Sequence, residues 1–283
     1  MHSTEWSLVF FTTISQLATG IMIAILPFVF SGNQKAYAKL NQSALYFSTA
    51  LMLMALVLSF LHLNNPLHSI YALSNLGTSW LSMEIFFVSL FLFGLVFISI
   101  LPLVKTPKPK HYRIFIIGTT VVGIIMVYSM SMLYMIPTVP IWNSISTPIS
   151  FFATALLLGS AFVFSLSLQQ ELKTRESLSG NQVKIPPSIT FIAIAIIAAN
   201  TVLFNPSIPE GNIAFEPQVA NTTLLMLRWL TMLLAVLSLL LIIYKKEKLK
   251  QVNVIYYQPF IFFLISELIA RAAFYESFYN IGM

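Results

Sequence analysis

The chain has 283 residues and a formal net charge of +6, with 8% charged and 58% hydrophobic residues. Soluble domains carry about 25% charged residues, so this composition excludes an ordinary soluble protein. It contains no cysteine, which excludes disulfides, thiol chemistry and iron–sulfur ligation by this polypeptide.

Eight apolar runs approach the ~20 residues needed to cross a bilayer core: Ser7–Phe30, Asn41–Leu61, Ser82–Leu103, Arg113–Met135, Thr147–Leu168, Pro187–Asn205, Thr222–Tyr244 and Val252–Phe274. Such continuous runs predict helices, because barrel strands would alternate with period two. The expected fold is therefore an all-α integral membrane protein, a bundle of eight transmembrane helices. No stretch is long or polar enough for a separate soluble domain, so residues 1–283 read as a single polytopic membrane domain. The first run is read as a retained helix rather than a cleaved signal peptide. Its leading MHSTEW has Glu5 and no Lys or Arg, the reverse of a signal peptide's basic start.

The connections decide the orientation. Lys35 and Lys39 lie in the first, Lys105, Lys108, Lys110 and Arg113 in the third, Lys173, Arg175 and Lys184 in the fifth, and Lys245, Lys246, Lys248 and Lys250 in the seventh. The even connections and both termini have no Lys or Arg, and of the 15 basic residues only Arg228 and Arg271 sit inside apolar runs. The positive-inside rule then places both termini and the even connections outside. This distribution accounts for the net charge, so no nucleic-acid partner is implied.

The even connections are rich in Pro, Asn, Ser, Thr and aromatic residues: NNPLHSIYALSNLGTSW, IPTVPIWNSISTP and NPSIPEGNIAFEPQ. Pro66, Pro137 and Pro140 stiffen them through a fixed φ. Thr147 followed by Pro148 reads as an N-cap with proline at the first helical position. Such loops suit a docking surface or a lid, and equally short ordered turns.

Ionisable residues within or bordering spans are costly in a membrane and mark candidate sites. His62 closes the second run and Glu84 opens the third, on the same side of the membrane. Arg228, Glu267 and Arg271 fall in the outer half of the seventh and eighth runs. His62 and Glu84 serve either as ordinary helix-end residues or as acceptors of protons from a lipid-borne molecule. Glu267 and Arg271, at i and i+4, form either an intrahelical ion pair or part of the same site. Haem is not expected: of the four histidines, only His62 borders a span on the outer side, with His68 in the loop beyond it. No metal-ligand spacing, phosphate loop or nucleophile elbow occurs.

At these residues the sequence resembles the membrane anchor subunits of bacterial anaerobic dimethyl sulfoxide reductases. The matching pieces are Glu5–Trp6 with Phe11–Thr12 and Gln16, the LHL-x-x-P of Leu61–Pro66, and the spaced Ser, Leu, Ser and Glu of Leu73–Glu84. TVP-x-W at Thr138–Trp142, TP-x-x-FF at Thr147–Phe152 and the E-L-I-x-R-x-x-F-Y run of Glu267–Tyr275 follow in order. The resemblance implies a haem-free anchor in the bacterial inner membrane with both termini periplasmic. It implies menaquinol as a diffusible substrate, oxidised to menaquinone near the outer face. Electrons would pass to an iron–sulfur subunit and on to a molybdopterin catalytic subunit, both docked outside. His62 and Glu84 match the quinol-site His and Glu. Asn64, Ser266 and Ala270 depart from the family, which has glycine there.

A quinol needs an apolar slot and an acceptor for each hydroxyl. Tyr71, Trp80, Trp142, Phe151 and Phe152 are expected to line the slot, with His62 and Glu84 as acceptors and Glu267 and Arg271 in supporting contact. The protein would then be the quinol-oxidising subunit of an oxidoreductase, without chemistry on the terminal acceptor. The competing expectations are a small-solute transporter, which should show internal repeats and midplane polar groups, and a purely structural tether.

Overall fold

A computed structural model describes residues 6–31, 34–61, 69–104, 108–174, 181–204, 222–245 and 255–277. Eight of its helices are long and apolar enough to cross a membrane. They are α1 (Trp6–Val29), α2 (Gln34–Leu61), α4 (Trp80–Val104), α5 (Pro109–Leu133), α6 (Ser146–Thr174), α7 (Ile185–Leu203), α8 (Thr222–Lys245) and α9 (Gln258–Glu276). A short helix, α3 (Ser69–Ala72), and a 3₁₀ turn precede α4. No strand occurs among the described residues. All eight expected runs correspond to these helices, with ends shifted by a few residues. The largest shift is at α2, which starts seven residues before Asn41 because the polar turn QKAYAKL is also helical.

Helices α1 and α6 form the centre. Within their apolar stretches 83% and 72% of residues are buried, against 22–28% in α4, α7 and α8. Helix α1 packs against α2, α5, α6 and α9, while α8 pairs with α9 and α4 with α5. The peripheral helices thus keep broad apolar faces for lipid, which drives no helix association in a bilayer. Contact there depends on close packing by small residues and on interhelical hydrogen bonds. Both occur here. Gly20 and Gly159 face each other so closely that a Cβ on Gly20 would overlap the Ala155 carbonyl, and one on Gly159 would overlap the Gly20 backbone. Hydroxyl pairs join other helices, with Thr49 and Ser99 2.9 Å apart and Ser160 and Thr190 2.8 Å apart.

The turn into α4 passes through Gly77 at φ +90°, a conformation that glycine adopts without a Cβ clash. Ser82 then donates 2.6 Å back to the Ala72 carbonyl, tying α3 to the first turn of α4. The α5–α6 connection is a series of tight turns, with the Trp142 and Asn143 N–H groups both donating 3.0 Å to the Val139 carbonyl. The expected cap at Thr147 is not formed. Helix α6 begins at Ser146, and the Thr147 hydroxyl instead donates 2.7 Å backward to the Trp142 carbonyl. A buried loop carbonyl needs a donor more than the helix start, which Ser144 already serves by accepting from the Ser146 N–H at 3.3 Å.

Candidate functional site

One end of the bundle gathers polar side chains from six helices. The starts of α1, α4, α6 and α8 and the ends of α5 and α9 meet there. Arg271 on α9 is 4% exposed. Its Nη2 donates 2.9 Å to Gln16 Oε1 on α1, and its guanidinium lies 3.7 Å above the centre of the Phe151 ring. The ring's negative face offsets part of the lost hydration of the buried cation. Glu267 is 2% exposed. Its Oε2 accepts 2.6 Å from the Thr154 hydroxyl and its Oε1 meets Arg228 Nη2 at 3.5 Å.

Of the two arrangements open to Glu267 and Arg271, the contacts form a network between helices and not the i, i+4 pair. Glu267 forms its ion pair with Arg228 of α8, and Arg271 turns to Gln16 of α1. The two side chains bind three neighbouring helices instead of each other, which gives each buried charge a partner that local pairing would have left to α9 alone. Glu267 also lies deeper than its position two turns from the end of an apolar run implied. It is the tenth of the 19 residues of α9, because the helix continues beyond Phe274 to Glu276. The charged network therefore reaches the middle of α9. Ser266, standing where the resemblance implies glycine, donates 3.0 Å to the Arg228 carbonyl and fastens α8 to α9.

Above this network sits an aromatic and hydroxyl layer. Tyr275 donates 2.8 Å to the Tyr134 hydroxyl and lies 3.4 Å from Thr12 Oγ1. Trp142 is buried, stacks on Phe274 with ring centres 5.0 Å apart, and donates its indole N–H 2.9 Å to the Phe274 carbonyl. Tyr134 contacts Trp142, Phe151, Phe274 and Tyr275, all at centroid separations of 5.5–5.7 Å. Glu84, the fifth residue of α4, is 5% exposed and lies near both Tyr134 and Tyr275. Its Oε1 is buried with no hydrogen-bond partner among the described residues, as is Gln16 Nε2.

The structure thus brings together Glu84, Trp142, Phe151, Glu267 and Arg271 of the expected set. Phe152 is partly buried against the core. Trp80 is 39% exposed and packs edge-on against Tyr128, and Tyr71 is 71% exposed on α3; both stand outside the enclosed cluster. His62, His68 and Pro66 lie outside the described residues, as do NPSIPEGNIAFEPQ and both ends of the sequence. Tyr134 and Thr154 were not anticipated, and Thr12 and Gln16 only as part of a motif. A signal existed in FTTISQLATG, which places Thr12, Thr13, Ser15, Gln16 and Thr19 in an otherwise apolar helix. Polar side chains in a span normally face the bundle interior. Thr154→Val should lower stability by about 1.5–3 kcal/mol, the worth of a hydrogen bond to a charged group. A lower midpoint of thermal denaturation in detergent would show this, and an unchanged one would remove Thr154 from the network.

Known proteins match this sequence throughout. The family model described as DMSO reductase anchor subunit (DmsC) matches residues 1–276. The C subunit of the anaerobic dimethyl sulfoxide reductase of Escherichia coli is 28% identical over 284 aligned positions, which cover 99% of the present protein and 96% of that relative. The YnfH subunit of an anaerobic dimethyl sulfoxide reductase from the same organism is 31% identical over 156 positions, 55% of each protein. The C subunit of the Haemophilus influenzae reductase is 26% identical over 195 positions, covering 69% of the present protein and 67% of the relative. With eight apolar helices and a match over nearly its whole length, this multi-pass membrane protein is an anchor subunit and belongs to the DMSO reductase anchor subunit (DmsC) family.

Proposed function

We propose that this subunit oxidises menaquinol at the end of the bundle that holds Glu84, and passes the electrons to a partner subunit of a reductase complex. The observation that carries the reading is the buried Glu84 carboxyl group, whose Oε1 has no partner among the described residues. In an apolar site such a group demands a donor, and a quinol hydroxyl is one. His62, 22 residues earlier and at the end of the second apolar run, is the acceptor for the second hydroxyl. The aromatic layer of Trp142, Phe274 and Phe151 provides a flat apolar wall, and Glu267 and Arg271 hold that wall from below.

In this reading the quinol gives one hydroxyl proton to Glu84 and the other to His62. Two electrons leave for an iron–sulfur subunit, and a molybdopterin subunit beyond it reduces a sulfoxide or related oxide. The basic residues Lys39, Lys108, Lys110 and Arg113 all lie at the opposite end of the bundle. By the positive-inside rule that end is cytoplasmic, so both termini, the site and the partners are periplasmic, and the membrane is the bacterial inner membrane. Protons released on the side where the acceptor is reduced move no net charge across the membrane. Residues 1–283 act as one membrane domain, with no haem or cluster of its own.

The test uses the assembled complex. Glu84→Gln and His62→Ala should each lower quinol-driven reduction by about 10²–10⁴-fold, the usual range for loss of a positioned acid–base group. Reduction driven by an artificial dye, which bypasses the anchor, should stay at the wild-type rate. Wild-type quinol turnover in either variant would overturn the assignment of that residue.

A further inference from the structure

At the end of the bundle opposite the charged cluster, α1, α2, α4 and α5 border an open recess of about 290 Å³. Val29, Leu45, Pro102 and Ile116 make its apolar wall, and Asn41, Gln42, Tyr112 and Arg113 its polar part. Tyr112 and Gln42 are engaged within the protein, and Arg113 also has a partner there. The Tyr112 hydroxyl donates 3.0 Å to the Ile98 carbonyl, and the Gln42 amide donates 2.9 Å to the Tyr46 hydroxyl. Asn41 Oδ1 differs: it is buried with no partner among the described residues. A buried carbonyl oxygen in that state calls for a donor.

The cationic groups are equally placed. Arg113 is half-buried at the recess, the fifth residue of α5, about 6 Å in from the helix end at 1.5 Å per residue. That is headgroup depth for a spanning helix. Lys39 lies one turn before Gln42 on α2 and Lys110 one turn before Arg113 on α5, both exposed. Residues three apart on a helix share a face, so both lysines add positive charge at the mouth.

We propose that this recess binds one phospholipid with an anionic, hydroxyl-bearing headgroup, of which phosphatidylglycerol is the type. The phosphate lies at Arg113 under the two lysines, a headgroup hydroxyl donates to Asn41 Oδ1, and the glycerol and first acyl carbons cover the apolar wall. Phosphatidylcholine offers no donor and no net charge. Phosphatidylethanolamine offers a donor, but its ammonium meets the basic rim. Basic pockets between spanning helices suit anionic headgroups for these reasons. The inference is independent of the quinol reading, since the two sites share no residue and lie at opposite ends.

Native mass spectrometry of the purified complex, equilibrated with equal amounts of the three lipids, tests it. The wild type should retain phosphatidylglycerol over phosphatidylcholine and phosphatidylethanolamine. Arg113→Gln should cut that retention on the order of fivefold, from the loss of one basic contact at an anionic surface. Asn41→Leu should reduce the preference over phosphatidylcholine while leaving charge unchanged. Equal retention of all three lipids by the wild type would overturn the proposal, as would full phosphatidylglycerol retention in Arg113→Gln. Arg113 sits at the lip, so that variant is informative even where Asn41→Leu fails to accumulate.

Discussion

Glu267→Leu is expected to cost about 3–5 kcal/mol of stability, the usual penalty for removing one partner from a buried ionic network. The substitution deletes the carboxylate bonded to Arg228 and leaves Arg271 nearby, so two cations face a low-dielectric interior without that counter-charge. It also leaves the Thr154 hydroxyl, now 2.6 Å from the carboxylate, with only the Ser150 carbonyl at 2.9 Å to accept its proton. Adding Arg228→Leu to the same protein should recover part of the loss, because one of the two cations is then gone. Glu267→Gln should fall between, keeping a hydrogen-bond acceptor for Thr154 but no charge. Thermal aggregation of the detergent-solubilised protein measures the series by its midpoint. A Glu267→Leu midpoint within about 2 °C of wild type, where a 1 kcal/mol change moves a protein of this size by roughly that much, would show that the network is energetically loose.

Gly159→Val should be more damaging to accumulation of the folded protein. The new side chain has no room: its Cβ would overlap the Gly20 backbone, and backbone does not turn aside as a flexible side chain does. The two helices involved are the most buried in the bundle, so separating them disturbs every interface they make. Overpacking a well-filled core costs about 1–3 kcal/mol, and more where rigid groups collide. The expected result is little or no protein in the membrane fraction, with Gly20→Val alike. Gly118, where a Cβ meets nothing within 4 Å, is the matched control and should tolerate alanine. Equal yields of Gly159→Val and Gly118→Ala would show that the close approach of α1 and α6 is not required.

The two predictions probe different parts of the same design. Lipid supplies no hydrophobic drive between spanning helices, so specificity comes from surfaces where backbones touch and from polar groups that find one another across helices. Gly20 and Gly159 provide the first, and the Gln16–Arg271 and Thr154–Glu267–Arg228 contacts the second. The same region holds Phe151, Phe274 and Trp142 around Tyr134. A site assembled this way ties quinol chemistry, as proposed, to correct packing of α1, α6, α8 and α9.

Much of this was legible in the residues alone. The number and type of elements follow from the length of apolar runs, a local property set by bilayer thickness. The burial of Glu84, Glu267 and Arg271 inside the bundle follows from the cost of a charge in lipid. The short motifs around Trp142 and Glu267–Tyr275 already pointed to the anchor family. Partner choice was not legible. Sequence spacing allows Glu267 to pair with Arg271 but does not decide it, whereas the fold pairs them with Arg228 and Gln16, residues 39 and 255 positions away. Burial of α1 and α6 over the equally apolar α4 was also a tertiary outcome, since a run facing lipid and a run facing protein have similar composition. Apolar length is written residue by residue, whereas contacts between helices depend on which faces meet, and only the packed bundle decides that.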